Sequence, residues 1–102
     1  MSRKTASSSS ADRVLLVLSV LERNFAQGFT PGDIAQSTGL DAAAVTRALA
    51  ALEKRGYAEP IGDNGRTRIS HRFAQVAVSI LNSLDVAEQR ISESRTKIQR
   101  PL

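Results

Sequence analysis

Apolar positions recur along the chain at spacings that change several times, and each change marks an element. Between Asp12 and Gln27, the residues Val14, Val17, Leu18, Leu21 and Phe25 fall on one helical face, which predicts a first helix. Leu16 and Val20 fall roughly opposite that face, beside Arg23. Ser9 or Ser10 can cap the start, Asp12 suits the positive end of the helix dipole, and Gly28 suits a stop. Thr30-Pro31-Gly32-Asp33 then opens a second, short helix. Thr30 caps it, Pro31 sits where a missing N–H costs nothing, and Asp33 reaches back as a capping-box acid. After Thr38-Gly39-Leu40, Asp41 caps a third, Ala-rich helix from Ala42 to about Arg55, ending at Gly56. Two strand-like runs follow, Tyr57 to Ile61 and Arg66 to Ser70. Gly62-Asp63-Asn64-Gly65 separates them, and its Asn-Gly step supplies the positive φ of a hairpin turn. Pro60 places its strand at an edge. A last long helix is predicted from His71 to about Gln99, capped by Ser70 and stopped before Pro101.

The second and third helices carry the requirements of a helix-turn-helix. Two short helices crossing steeply need a small residue at the crossing, and Ala35 fits. The tight turn needs a residue at ease with positive φ, and Gly39 fits. Ile34, Leu40, Val45 and Leu49 are spaced to plug the core beneath. The expected fold is therefore mainly α, a winged helix-turn-helix with a three-helix core, a two-stranded wing and a long C-terminal helix. Residues 1–10 are Ser-rich and polar, the composition of a flexible N-terminal arm, although Arg3 and Lys4 could also reach a minor groove. Residues 11–70 form the winged domain, and residues 71–102 the C-terminal helix.

That last helix is expected to dimerise. Phe73, Ala77, Ile80, Leu84, Ala87, Ile91, Ser94 and Ile98 alternate in steps of four and three, a seam long enough to need a partner. A parallel, in-register pair would set Arg90 against the partner's Arg95, which favours a crossed or antiparallel arrangement, or packing on the other subunit's first helix. Leu16 and Val20, off the core stripe of the first helix, are assigned to the same interface.

Composition narrows the function. Across 102 residues there are 14 Lys+Arg against 10 Asp+Glu, a net charge of +4 that makes nucleic acid a plausible partner without deciding it. The absence of cysteine removes disulfide scaffolds, Cys-ligated zinc and thiol nucleophiles. The longest apolar stretch, Val14 to Leu21, falls far short of the ~20 residues a membrane helix needs. A cytoplasmic protein without membrane attachment is expected. His71 is the single histidine, the acids are scattered, and Gly62 to Gly65 lacks the glycine spacing and lysine of a phosphate loop. Neither an enzyme nor a cofactor is expected.

The stretch Phe29 to Leu84 resembles the winged helix-turn-helix domain of IclR-type bacterial transcription factors. The resemblance rests on Ile34-Ala35, Thr38-Gly39-Leu40, Val45-Thr46-Arg47, Leu49, Leu52-Glu53, Gly56-Tyr57 and the short wing. MarR-type regulators share much of this grammar. The resemblance implies a third helix in the major groove and a wing on the flanking backbone of double-stranded DNA. Thr46 and Arg47 then lie on the exposed face of the third helix, where Arg47 can fork onto guanine or grip a phosphate. Arg66 and Arg68 alternate along the second wing strand and point to one side, with Arg72 nearby, so the three are expected at phosphates. One departure stands out. The recognition helix opens with Asp41-Ala42-Ala43-Ala44, which offers methyl groups and no hydrogen bonds, so direct reading there is expected to be weak. Full members also carry a large sensing domain after the fourth helix, whereas this chain ends at Leu102, so no small-molecule effector is expected. The alternative function is a protein-interaction adaptor, with the alanine-rich helix as a flat docking face.

Overall fold

The structure, a computed structural model, describes residues 9–102. Its elements run α1 (Ser10–Leu21), α2 (Pro31–Thr38), α3 (Ala42–Lys54), β1 (Ala58–Ile61), β2 (Arg66–Ile69) and α4 (His71–Gln99). Three helices, a two-stranded antiparallel wing and a long last helix make a mainly helical, winged helix-turn-helix architecture. The chain divides into two compact units, the first ending at Arg72 and the second formed by Phe73–Leu102. Of the N-terminal arm expected over residues 1–10, all but Ser9 and Ser10 lies outside the described residues.

Ser9 caps α1, its hydroxyl accepting from the Asp12 N–H at 3.0 Å. The helix was expected to reach Gln27 and stops at Leu21 instead. Asn24 explains the early stop. Its side-chain carbonyl accepts from the Gln27 N–H at 3.1 Å, and its backbone carbonyl accepts from the Gly28 N–H at 2.9 Å. The side-chain bond offers the backbone an alternative to the helical ladder, while the Gly28 bond closes a single turn beyond it. Gly28, at φ 65°, therefore ends this turn rather than the helix.

The core joins Val17, Val20 and Leu21 of α1 to Ile34 of α2, to Val45, Ala48, Leu49 and Leu52 of α3, and to Ala58 of β1. The assignment of Val20 to a dimer interface is corrected here: it is 1% exposed, with nothing left for a partner to cover. The reason is that α1 packs on α2, α3 and β2 together, so apolar residues off its main stripe are enclosed within the subunit. Leu16 is half-buried, and Leu15 is the outward-facing leucine of that helix.

The helix-turn-helix forms as its caps dictate. The Thr30 hydroxyl accepts from the Asp33 N–H at 3.0 Å, and the Asp33 carboxylate accepts from the Thr30 N–H at 3.1 Å. Gly39 turns the chain at φ 78°, and Asp41 caps α3 by accepting from the Ala44 N–H at 2.8 Å. Ala35 and Leu40 pack half-buried against the core, as the crossing requires.

One backbone bridge pairs the wing with the body. Phe29 forms a bridge with Thr67 through two backbone bonds, Phe29 N–H to Thr67 carbonyl at 2.8 Å and Thr67 N–H to Phe29 carbonyl at 2.9 Å. On its other side, Thr67 faces Pro60 in the β1–β2 register. Because Thr67 directs both backbone groups at Phe29, the missing N–H of Pro60 costs the ladder nothing. In the loop, Gly62 and Gly65 take the positive φ values, while the Asn64 side chain accepts from the Arg66 N–H at 3.1 Å.

Ser70 was expected to cap α4. Instead its hydroxyl donates to the Gly56 carbonyl at 2.7 Å, and Glu59 from the wing accepts the His71 N–H at 3.2 Å. In the second unit no residue is buried, and Ile80, Leu84, Ile91 and Ile98 stand exposed.

Gly28 offers a direct test of the bridge. A Cβ there would lie 2.4 Å from the Thr67 carbonyl oxygen, whereas a Cβ at Gly39 would meet nothing within 4 Å. Both glycines have positive φ, so each alanine carries the same backbone strain of about 1 kcal/mol. Gly28→Ala is expected to cost about 1–2 kcal/mol more than Gly39→Ala in urea unfolding, because the bridge must move as well.

Candidate nucleic-acid interface

Helical spacing sorts α3 into two sides. Val45, Ala48, Leu49 and Leu52 point into the core, which turns Ala43, Arg47, Ala50 and Lys54 outward, with Thr46 and Glu53 beside them. Arg47 and Thr46 are exposed as expected, and neither Arg47 nor Lys54 forms an ion pair among the described residues. Lys54 and its neighbour Arg55 were missed in the sequence, although the seven-residue step from Arg47 to Lys54 places both on one face. The outer surface of α3 is thus two alanines flanked by available cations.

The wing arginines are placed differently. Arg66 and Arg68 do share one side of β2, but that side packs on the chain's own α1–α2 connection. The Arg66 guanidinium donates to the Gln27 carbonyl at 2.9 Å and the Gly28 carbonyl at 3.1 Å, and lies 3.8 Å from the Asp33 carboxylate. Arg68 donates to Glu59, directly across the wing, at 3.0 Å, and its guanidinium stacks over Phe25 at 4.7 Å. Arg72 sits over the Tyr57 ring at 4.7 Å and remains exposed. The set expected to converge on phosphates is instead engaged within the molecule, most fully at Arg68.

Glu59 is the hub of that arrangement. It accepts from Arg68, lies 2.7 Å from the His71 Nδ1, and receives the His71 backbone N–H. His71 also meets the Phe25 ring edge-on at 5.5 Å. Burial pushes the Glu59 carboxyl up, but the His71 N–H, the Arg68 hydrogen bond and both positive charges outweigh it and hold it below the usual glutamate range. Asp33 is likewise held low, first by the Thr30 backbone N–H and then by its hydroxyl. Among the described residues no group of acids, histidines or cysteines could hold a metal ion, and no helix is long and apolar enough to cross a membrane.

Residues 11–69 match the MarR family. The chain belongs to the MarR family. That membership supports the winged helix-turn-helix, of the kind found in DNA-binding transcription regulators, without singling out the IclR type. The fold also resembles HmgR of Pseudomonas aeruginosa, with a TM-score of 0.61 and 24% identity over 78% of this chain. The chain spans only 32% of that protein's length. Among curated protein sequences there is no match.

In this MarR-family module the wing and the start of α4 share one carboxylate, which makes their junction acid-sensitive. Because Glu59 is depressed in the folded state, its contribution is present above the ordinary glutamate pKa and is lost as pH falls through the lower, folded value. Glu59→Gln is expected to lower stability by about 1 kcal/mol at pH 7 and to flatten the fall of thermal midpoint below pH 5. Equal acid sensitivity in the variant and the parent would assign that fall to other groups.

Proposed function

We propose that the protein binds double-stranded DNA as a homodimer, with some sequence preference, and acts as a transcriptional regulator of bacterial or phage type. The observation that carries this reading is the outer face of α3. On a helix-turn-helix scaffold it presents Thr46, Arg47 and Lys54 around a flat alanine strip, with no ion pair to either cation among the described residues. The IclR-type resemblance gives the docking: α3 in the major groove, the wing beside the flanking backbone. In this geometry Thr46 faces base edges, and Arg72 and the partly exposed Arg66 add positive potential at the wing. Arg68 contributes by holding the wing in shape.

The homodimer reading rests on the second unit, whose Ile80, Leu84 and Ile91 share one helical face and are each more than half exposed. With Val20 in the core, α1 offers Leu15, and in part Leu16, as its remaining apolar contribution.

A duplex of random sequence should be retarded at low salt and released steeply as salt rises, because each neutralised phosphate contributes about 0.9 to the log–log slope. Failure to bind any duplex, with retrieval of a specific protein instead, would favour the adaptor reading. Truncation after Ser83 should shift the protein toward monomer in sedimentation and weaken DNA binding, since each subunit supplies half of the phosphate contacts. An unchanged dimer would place the interface elsewhere.

A further inference from the structure

We infer that the apolar groove between α1 and the end of α3 receives α4 of a second copy of this chain. The face of α4 that enters is distinct from the one carrying Ile80, Leu84 and Ile91. The inference rests on the homodimer reading above and names the two surfaces that meet in it.

The groove has a volume of about 350 Å³ and is lined by Val14, Leu15 and Leu18 of α1, by Leu52 and Arg55 at the end of α3, and by Tyr57. Leu15 stands 62% exposed along it. The lining is apolar except for one charge, the Arg55 guanidinium, which forms no ion pair among the described residues. Arg72, over the Tyr57 ring, adds positive charge beside the groove.

The matching surface lies on α4. Ala74, Val78, Leu81, Asp85 and Glu88 follow one another in steps of four and three, so they form a line along the helix. That line is displaced by about a quarter turn from Ile80, Leu84 and Ile91. Val78 and Leu81 are each more than half exposed. Neither Asp85 nor Glu88 forms an ion pair among the described residues. Three apolar residues followed by two acids face the composition of the groove, apolar side chains with a cation, and the two surfaces complement each other in both polarity and charge.

A two-stranded pairing of α4 helices covers one seam only. With Ile80, Leu84 and Ile91 in that seam, the second line stays bare, and no residue of Phe73–Leu102 is buried within the chain. A second copy satisfies both surfaces at once, because twofold symmetry makes the contact twice, groove to helix and helix to groove. The doubling also widens an interface that a seam containing Ala77, Ala87 and Ser94 would leave narrow. It has a consequence for DNA: a partner helix seated against the end of α3 fixes the separation of the two recognition helices, and with it the spacing of the half-sites.

Sedimentation of the full chain at low salt tests the contact by charge reversal. Arg55→Glu in one chain, and Asp85→Lys with Glu88→Lys in another, should each raise the dimer dissociation constant at least about tenfold, because like charges then meet at both symmetric contacts. All three positions are exposed, so each variant should keep the parental circular dichroism spectrum. Mixing the two variant chains should restore dimers of near-parental strength, since each contact of the mixed pair again joins opposite charges. A groove covered by the chain's own α4 would remain mispaired in both variants, and mixing would change nothing. Parental dissociation constants for both variants, or no recovery on mixing, would overturn the groove contact while leaving the homodimer standing. A parent chain that sediments as a monomer at every concentration would instead remove the homodimer reading on which the contact depends.

Discussion

The wing sits where it does because residue 28 has no side chain. Phe29 and Thr67 come together as a bridge only if the chain at Gly28 passes against the Thr67 carbonyl, closer than any Cβ allows. From that contact the rest of the wing follows. It brings the Gln27 and Gly28 carbonyls within reach of Arg66, which donates to both. It sets β2 over Phe25, so that Arg68 stacks on the ring while reaching across to Glu59. Glu59, fixed in turn by Arg68, supplies the carboxylate that receives the first N–H of α4. A glycine in a connecting loop therefore determines where the last helix begins.

The same chain of contacts decides how charge is distributed. A surface ion pair contributes little to stability, about 0–1 kcal/mol, so the internal bonds of Arg66 and Arg68 do not hold the fold together by themselves. Their larger effect is on availability. An arginine donating to backbone carbonyls or a carboxylate, with its face on a ring, must leave those partners before it can bind a phosphate. The cations of α3 carry no such obligation. Net charge is spread evenly in sequence, +1 in each of residues 1–12, 13–55, 56–75 and 76–102. The asymmetry between recognition helix and wing is created by folding alone.

What the sequence made legible was local. The caps at Ser9, Thr30 and Asp41, the turn at Gly39, the edge position of Pro60 and the extent of α4 each depend on residues within four or so positions, and all form as read. Periodicity alone failed on α1 in two ways. It could not detect that Asn24 competes for the last turn, and it could not tell that a helix covered by α2, α3 and β2 buries Val20 too. Arg66 and Arg68 were placed on the correct strand and the same side, yet their partners lie on the α1–α2 connection, which no alternation pattern reveals. Glu59 was within reach of inference. A four-residue loop from Gly62 to Gly65 sets Ile61 against Arg66, and two steps further it sets Glu59 against Arg68. Register, not composition, identifies the hub.

On the proposed reading, the face of α3 sets a limit on how this protein selects DNA. A bidentate contact to a base gives about 1–3 kcal/mol of discrimination, and methyl contacts from alanine give less. If Arg47 holds a phosphate, Thr46 is left as the polar reader beside Ala43 and Ala50, too little to choose one site among many. Two routes remain by which selectivity can rise. Phosphate contacts held at fixed positions by a rigid body make binding sensitive to the shape and deformability of the duplex, because rigidly spaced ligands accept only certain backbone paths. Dimerisation through the second unit multiplies that sensitivity, because two copies must meet two half-sites at one separation. A weakly reading helix on a rigid body is then consistent with preference, provided that the spacing of the pair, rather than any single side chain, does the choosing.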